Sequence, residues 1–221
     1  MTNQEILSHI DHTLLKASAS WRDIKKLCDE AVAYKTASVC IPPSYIKRVH
    51  ETFGKELAIC TVIGFPLGYG VTAVKVLEAE EALSAGASEI DMVINIGDVK
   101  NRDFDKVHGE IARLKQTTGS KILKVIVETC CLTEAEKIRL CEIVTLSAAD
   151  YIKTSTGFGT GGAVLEDILL FKEHLGSQVK MKAAGGIKTR EDLEAFLNAG
   201  CDRIGTSSAV ALLAGGGHAV S

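Results

Sequence analysis

Short runs of β-branched and apolar residues recur along the chain, separated by longer segments in which apolar residues return every three or four positions. The two periods are those of buried strands and of amphipathic helices. Eight runs have strand character, and we predict strands over residues 10–13, 38–41, 57–63, 90–95, 122–128, 151–154, 179–183 and 203–205. Strands that alternate with helices are typical of a parallel sheet whose outer face is covered by the helices.

The intervening segments also carry signals for where helices begin. Trp21, Ile24, Leu27, Cys28 and Ala31 fall on one face of a helix, as expected of a helix that packs on a core. The segments 133–136 and 189–192 each start with a threonine and have an acidic residue three positions later, which is typical of helix N-termini. We therefore predict helices after the fifth and seventh strands.

Two small residues followed by an acidic residue open the segments 87–91, 148–152 and 200–204, at spacings of 61 and 52 residues. Each spacing is close to two βα units of about 28 residues. The pattern predicts a single α/β domain, a (β/α)8 TIM barrel over residues 1–213 with a short N-terminal helix. An open doubly wound sheet is the main alternative. The Gly-rich tail, 214–221, is expected to be mobile.

Composition and charge narrow the function classes. The chain has 221 residues, of which 46% are hydrophobic, and a net charge of −3. Its basic residues are scattered, so we expect no nucleic-acid partner. The sequence shows no apolar run long enough to span a membrane and no leader-like N-terminus, so we expect no membrane partner and a cytoplasmic location. Seven cysteines without CxxC spacing argue against a disulfide framework and a thiolate zinc site.

Six charged residues interrupt the predicted strands near their C-terminal ends: Asp11, Asp91, Lys124, Glu128, Lys153 and Lys182. In a barrel, these ends carry the active site. Charged side chains are rarely buried without a partner, so each needs an explanation. Internal salt bridges, or side chains that point outward between the helices, are the structural alternative for each residue taken alone.

The two lysines on the sixth and seventh strands indicate a specific chemistry. Lys153 and Lys182 would lie on adjacent strand ends, where each positive charge disfavours protonation of the other and leaves a free amine near neutral pH. A free amine attacks a carbonyl to form a Schiff base, an electron sink for carbon–carbon cleavage. Asp91 is placed to relay protons in this reaction.

The remaining charged residues have less definite roles. Asp11 shares a face of the first strand with Thr13, and we expect it to hold a substrate hydroxyl or to orient a lysine. Lys124 and Glu128 are expected to share a face of the fifth strand. There, an ion-paired network is at least as well supported as direct catalysis.

Glycine-rich loops follow the seventh and eighth predicted strands. Gly185 and Gly186, and then Gly205 with Ser207 and Ser208, occupy the usual phosphate site of a barrel. Tight turns alone are the alternative explanation. A G-x-G-x-x-G pattern over 157–162 lacks the acidic residue expected about 20 positions later, which argues against a dinucleotide site. His9 and His12 would face opposite sides of a strand, so we expect no metal.

Several longer segments resemble the deoxyribose-phosphate aldolase family of class I Schiff-base aldolases. They are IDHTLL at 10–15, CTVIGFPLG at 60–68, EIDMVIN at 89–95, LKVIVET at 123–129, YIKTSTGF at 151–158 and KAAGGI at 182–187. The segments run through nearly the whole chain in the family's order. The last two are highly specific as a pair.

The resemblance implies reversible cleavage of 2-deoxy-D-ribose 5-phosphate to acetaldehyde and D-glyceraldehyde 3-phosphate, in deoxynucleoside catabolism. It implies that Lys153 forms the Schiff base and that Lys182 and Asp91 are proton donor and acceptor, with Asp11 and Lys124 in the surrounding polar network. The glycines 185, 186 and 205, with Ser207 and Ser208, would hold the substrate phosphate. The family uses no cofactor and commonly forms dimers or tetramers. A transaldolase-like enzyme and a noncatalytic sugar-phosphate sensor are the rival interpretations.

Overall fold

The structure is a computed structural model that describes residues 1–214, and its eight strands close into one parallel barrel. Each strand pairs with the next, and the eighth pairs with the first. The strands are β1 Ile10–Thr13, β2 Ser38–Ile41, β3 Ile59–Ile63, β4 Glu89–Val93, β5 Ile122–Ile126, β6 Tyr151–Lys153, β7 Lys180–Ala184 and β8 Arg203–Thr206. The closed barrel confirms the predicted (β/α)8 fold and excludes the open sheet.

Helices precede, connect and follow the strands. They are α1 Asn3–Leu7, α2 Trp21–Tyr34, α3 Ile46–Phe53, α4 Thr72–Ser84, α5 Ile96–Lys100, α6 Phe104–Thr118, α7 Glu134–Leu146, α8 Leu165–His174, α9 Arg190–Ala199 and α10 Ala209–Ala214. Short 3-10 turns cover 43–45, 54–56 and 129–131. The first helix confirms the short N-terminal helix. No helix in the described part of the chain is long and apolar enough to cross a membrane.

Local sequence signals fix several helix starts. Thr133 and Thr189 each accept a hydrogen bond from the backbone three residues on, and both starts are complete capping boxes. In α2, the predicted face buries Ile24, Leu27, Cys28 and Ala31, whereas Trp21 is only half-buried and stacks on Tyr45. The predicted helix positions are confirmed, and the helices cover the barrel with an apolar layer.

The inner face of the barrel is polar where a core of aliphatic residues is usual. Alternate residues of successive strands point inward, because side chains on a strand have a period of two. Cys60 of β3 pairs with Glu89 of β4, Asp91 of β4 pairs with Lys124 of β5, and Lys153 of β6 pairs with Lys182 of β7. The barrel therefore has an aliphatic outer layer and a charged centre.

The bounds of six predicted strands are wrong, and most of the predicted tail lies outside the described residues. Strand β3 begins at Ile59 rather than at 57, and β5 ends at Ile126 rather than at 128. Strand β4 spans 89–93 rather than 90–95, β6 ends at Lys153 rather than at 154, and β7 spans 180–184 rather than 179–183. Strand β8 continues to Thr206, which places Gly205 inside the strand rather than in the loop. Ala214 is the last residue of α10, and the rest of the predicted mobile tail, 215–221, falls outside the described residues.

Candidate active site

The C-terminal ends of β1, β6, β7 and β8 surround a cavity of about 620 Å³. Lys153 lies in its wall, together with the five residues predicted for phosphate binding: Gly185, Gly186, Gly205, Ser207 and Ser208. The sequence predicts that these residues lie at one end of the barrel. The structure brings the reactive lysine and the predicted phosphate loops into one cavity.

Lys153 is the last residue of β6, and its side chain is only 4% exposed. Its ammonium nitrogen donates to Oδ2 of Asp91 over 2.8 Å. Lys182, its neighbour on β7, donates to the same oxygen, also over 2.8 Å. The two lysines are therefore close, as expected, but the structure adds a carboxylate oxygen between them.

Asp91 is the centre of this network. Its Oδ1 accepts from Nζ of Lys124 over 2.9 Å and from Sγ of Cys60 over 3.1 Å. Because both oxygens are engaged, the carboxylate is held in one orientation with Oδ2 toward Lys153 and Lys182. Burial alone would raise the pKa of Asp91, but the three lysines hold that pKa well below its usual range.

Asp11 occupies the equivalent place on β1. Its carboxylate accepts from Lys182, from Arg203 and, over 2.8 Å, from the hydroxyl of Ser38. Burial opposes ionisation, but Lys182, Lys124 and Arg203 keep the pKa of Asp11 below its ordinary value. Of the two expected roles, orienting a lysine is the one for which the structure provides a contact.

Lys124 has three carboxylates within 4.0 Å and Lys182 has two. Lys124 contacts Glu89 over 2.5 Å, Asp91 over 2.9 Å and Asp11 over 3.6 Å, and Lys182 contacts Asp11 and Asp91. Burial would lower the pKa of each lysine, but these carboxylates raise it above the usual lysine value. Lys153 has one carboxylate within 4.0 Å in the described part of the chain, that of Asp91.

Within residues 1–214, the ion pairs at the barrel centre join four cationic side chains to three carboxylates. The cations are Lys124, Lys153, Lys182 and Arg203, and the carboxylates are Asp11, Glu89 and Asp91. With every lysine protonated, the cluster has one more cation than carboxylate. Among its four cations, Lys153 lines the cavity.

Glu89 and Arg203 complete this network but were not selected from the sequence. Arg203 donates to Asp11 and, over 3.0 Å, to Oε1 of Glu89. A signal was available, because Glu89 stands two positions before Asp91 and therefore shares its face of the strand. Both residues begin their strands, and they add one charge of each sign to the network.

Glu128 does not share the face of Lys124, because β5 ends two residues earlier. The backbone of Glu128 is left-handed, with φ +57°, and this turns the side chain toward the next strand. Its carboxylate accepts hydrogen bonds from the hydroxyl and the backbone N–H of Thr156. The expected shared face is therefore wrong. The ion-paired network expected at this place surrounds Lys124, and within residues 1–214 it does not include Glu128.

The predicted phosphate end of the cavity is made of two different kinds of segment. Gly185 and Gly186 have φ of +84° and +79°, which side chains rarely adopt, so both are turn glycines. A Cβ on Gly205 would lie 3.2 Å from Cε of Lys182, so this residue is small because β8 packs on the lysine. Ser207 is exposed, and the Ser208 hydroxyl contacts that of Thr206 over 3.0 Å.

Two lysines at the rim of the cavity were not identified from the sequence. Lys16 follows β1 and Lys188 follows β7, and both line the cavity with exposed side chains. An exposed lysine in a loop has no distinctive sequence signal, which explains why they were missed. Their charges add to the positive potential around the phosphate loops.

The glycine-rich segment 157–162 forms part of the same cavity. Gly157 and Phe158 line it, and a Cβ on Gly162 would lie 2.3 Å from the carbonyl oxygen of Gly185. The N–H of Ala163 donates to that oxygen over 3.1 Å. These glycines let the backbones of the loops after β6 and β7 pack against each other. This packing accounts for the glycine pattern without a dinucleotide-binding site.

Two buried donor sets within residues 1–214 have spacing compatible with a metal ion. They are Cys40 with Cys60 and Asp91, and Asp11 with Cys60 and Glu89. Each carboxylate is already bound to a lysine or arginine, and a divalent cation would be repelled by four neighbouring cations. The chemistry of these donors fits the binding of ammonium groups better than the binding of a metal.

Comparisons with known proteins agree with this geometry. The family model described as "DeoC/LacD family aldolase" matches residues 6–215. A deoxyribose-phosphate aldolase of Clostridium botulinum is 65% identical over 97% of both chains, and one of Clostridioides difficile is 59% identical over 95% of this chain and 96% of its own. A solved structure, described as a tetrameric deoxyribose phosphate aldolase from Aeropyrum pernix, is 31% identical with a TM-score of 0.90, covering 96% of this chain and 91% of that one. The resemblance found in the sequence is confirmed: the chain belongs to the DeoC/LacD family of aldolases.

Proposed function

We propose that this protein reversibly cleaves 2-deoxy-D-ribose 5-phosphate to acetaldehyde and D-glyceraldehyde 3-phosphate through a Schiff base on Lys153, as part of deoxynucleoside catabolism in the cytoplasm. The observation that carries the proposal is the placement of Lys153. It lies in a cavity wall and belongs to a charge cluster that has one more cation than carboxylate. Relatives of 65% and 59% identity carry the name of this reaction, which supports the choice of substrate.

In the proposed reaction, the neutral amine of Lys153 attacks the aldehyde carbon of the open-chain sugar. Loss of water gives an iminium ion, which accepts the electron pair of the C2–C3 bond when that bond breaks. Asp91 and Lys182 share a short hydrogen bond beside Lys153, so they are placed to carry protons for carbinolamine dehydration and at C2. Asp11 and Lys124 hold this pair through their ion pairs.

The phosphate of the substrate is proposed to bind at the end of the cavity formed by Gly185, Gly186, Ser207 and Ser208. Gly186 is exposed, and a Cβ on it would meet no atom within 4 Å, so its backbone is open for a ligand, whereas Gly185 packs on Gly162 and shapes the turn. Gly205 contributes by allowing β8 to approach Lys182. Lys16 and Lys188 supply charge at the rim.

Self-association as a dimer or tetramer is proposed on two grounds. The Aeropyrum pernix relative is described as tetrameric. Five apolar side chains between β3 and the middle of α4 are more than half exposed: Leu67, Tyr69, Val71, Val74 and Leu77. Exposed apolar patches of this kind are typical of interfaces. Light scattering of the purified protein tests the proposal, and a monomer at micromolar concentration would contradict it.

Borohydride trapping tests the proposed function most directly. Incubation with acetaldehyde followed by borohydride should add an ethyl group to Lys153, seen by peptide mass spectrometry. Acetaldehyde release from deoxyribose 5-phosphate should accompany it. An adduct on another residue, or none with active protein, would refute the assignment of Lys153.

The same assays separate the rival functions. A transaldolase-like enzyme would form an adduct but would turn over a ketose phosphate and release no acetaldehyde. A noncatalytic sensor would bind sugar phosphates without any covalent adduct. Each rival therefore predicts a different pair of results.

A further inference from the structure

Glu128 is a buried carboxylate without a cationic partner in the described part of the chain. It is 4% exposed, and none of the ion pairs within residues 1–214 includes it. Buried carboxylates are normally paired with a cation, because desolvation is costly. Its left-handed backbone, φ +57°, is also unusual for a residue other than glycine, asparagine or aspartate. Both features point to a specific task.

Thr156 supplies the hydrogen bonds to this carboxylate. Its backbone N–H lies 3.3 Å from each carboxylate oxygen, and its hydroxyl donates to Oε2. The hydroxyl oxygen in turn accepts from the N–H of Phe158 over 3.0 Å. A hydroxyl has one proton and two lone pairs, so one lone pair of Thr156 is left for a further donor.

Thr156 lines the cavity together with Lys153, so a ligand bound there is the available source of that donor. The hydroxyl of Thr156 donates its hydrogen bond to Glu128. Toward the cavity, the Thr156 oxygen is therefore a hydrogen-bond acceptor. It therefore selects a ligand that brings an O–H group within reach of the Schiff-base lysine. This orientation follows from the hydrogen-bond pattern of the protein alone.

Carbon–carbon cleavage on Lys153 requires such an acceptor; here the inference rests on the proposed function. When the C2–C3 bond of the iminium breaks, the C3 hydroxyl must lose its proton to become the aldehyde of glyceraldehyde 3-phosphate. Asp91 is poorly suited to this step, because both its oxygens already accept hydrogen bonds from Lys124, Lys153, Lys182 and Cys60. A second proton acceptor is needed on the C3 side.

We propose that Thr156 is the catalytic residue that takes the C3 hydroxyl proton and that Glu128 is the positioning residue that receives the proton of Thr156 in the same step. The O3–H bond breaks and a bond from that proton to Oγ1 of Thr156 forms. The original Thr156 proton moves to Oε2 of Glu128, and the C2–C3 electron pair becomes the C=C bond of the enamine while the iminium nitrogen is neutralised. The reverse transfer protonates the alkoxide during aldol addition.

A purely structural role for Glu128 makes a different prediction. A Cβ on Gly159 would lie 3.2 Å from the Glu128 carboxylate, so Glu128 packs against the loop after β6. If Glu128 only held that loop, its loss would impair every reaction on Lys153. The proton relay affects only reactions in which a C3 hydroxyl gains or loses a proton.

Hydrogen–deuterium exchange at the methyl group of acetaldehyde separates the two roles. Exchange requires the Schiff base, the enamine and proton transfer at C2, but it involves no C3 hydroxyl. Glu128→Gln and Thr156→Val should each lower kcat for cleavage of deoxyribose 5-phosphate about 100-fold, with KM changed less than threefold. The exchange rate by NMR and the borohydride adduct on Lys153 should stay within about twofold of the wild type.

Two controls complete the experiment. Thr156→Ser keeps the hydroxyl and should retain cleavage within about tenfold, and Glu134→Gln makes the same chemical change at an exposed helix start and should change nothing. Equal losses of cleavage and exchange in Glu128→Gln, or full cleavage activity in that variant, would overturn the relay. Absence of the adduct in the wild type would instead overturn the proposed function, so the two failures are distinguishable.

Discussion

Two groups of buried charges lie on opposite sides of the barrel wall. Outside it, Lys75 of α4 is completely buried and donates to Glu110 of α6 and to the carbonyl oxygen of Val93, each over 2.8 Å. Thr72 donates to the second oxygen of Glu110. Inside it, four cations share three carboxylates, and one of the lysines reaches a cavity of about 620 Å³.

The difference shows what separates a structural ion pair from a reactive one. Lys75 and Glu110 carry opposite charges that cancel, and both side chains are buried. At the centre of the barrel, the charges do not balance and Lys153 is next to open space. Both groups contain buried lysines, so burial alone does not indicate a reactive lysine. The indicative features are an unequal number of cations and carboxylates and an open cavity beside the lysine.

The largest expected effect comes from replacing the lysine at the cavity. Lys153→Arg keeps a positive charge but has no amine that forms an imine, so kcat should fall by at least about 10⁴-fold. The melting temperature should change little, since Lys153 has a single ion-pair partner. Steady-state kinetics and thermal unfolding check this, and residual turnover above one per cent would show that another amine reacts.

Removing the charge imbalance tests its role in activating Lys153. Lys182→Leu leaves three cations against three carboxylates, so Lys153 should hold its proton to higher pH. We expect the activity near neutral pH to fall about 10³-fold, equivalent to about 4 kcal/mol, and the acidic limb of the pH–rate profile to move to higher pH. A profile of unchanged shape would contradict the argument from charge balance.

The outer pair should affect stability without affecting chemistry. Lys75→Met leaves Glu110 buried and unpaired, and we expect a loss of about 3 kcal/mol in the free energy of unfolding. Lys75→Met combined with Glu110→Leu should recover most of that loss, because no buried charge remains. Urea unfolding measures both variants. A change in kcat per folded molecule would show that the outer pair is coupled to the site.

The smallest effect is expected at the phosphate end of the cavity. Ser207→Ala removes one exposed hydroxyl, so KM for deoxyribose 5-phosphate should rise about fivefold, equivalent to about 1 kcal/mol. KM for unphosphorylated deoxyribose should not change, and Ser120→Ala is a matched surface control. Equal effects on both substrates would place Ser207 away from the phosphate.

The fold was predictable because its signals are local and repeated. Strands β1 and β2 begin and end at the predicted residues, and Thr133 and Thr189 begin their helices as expected. Small residues and acidic residues mark the entry to β4, β6 and β8. Periodicity reports which residues face inward, and this was enough to select Lys153, Lys182, Asp91 and Asp11.

The missed features depend on contacts that no local pattern records. Lys75 looks like any lysine of a surface helix, and only the packing of α4 on α6 buries it. The left-handed turn at Glu128 ends β5 early, although the residue types continue the strand pattern. Burial and backbone conformation at such positions depend on contacts between strands and helices that are distant in the sequence. Local sequence patterns do not indicate these contacts.

The positive rim formed by Lys16 and Lys188, above a barrel centre with excess positive charge, has a kinetic consequence. The chain carries a net charge of −3, so its average field repels a phosphorylated sugar. In salt solution, a charge acts over about a Debye length, roughly 8–10 Å. Within that distance of the cavity, the potential of the nearby lysines is larger than the potential that arises from the net charge of the protein. The rate at which the phosphorylated substrate binds the protein should therefore fall as ionic strength rises. Two oppositely charged molecules show this dependence, although here the protein and the substrate both have a net negative charge.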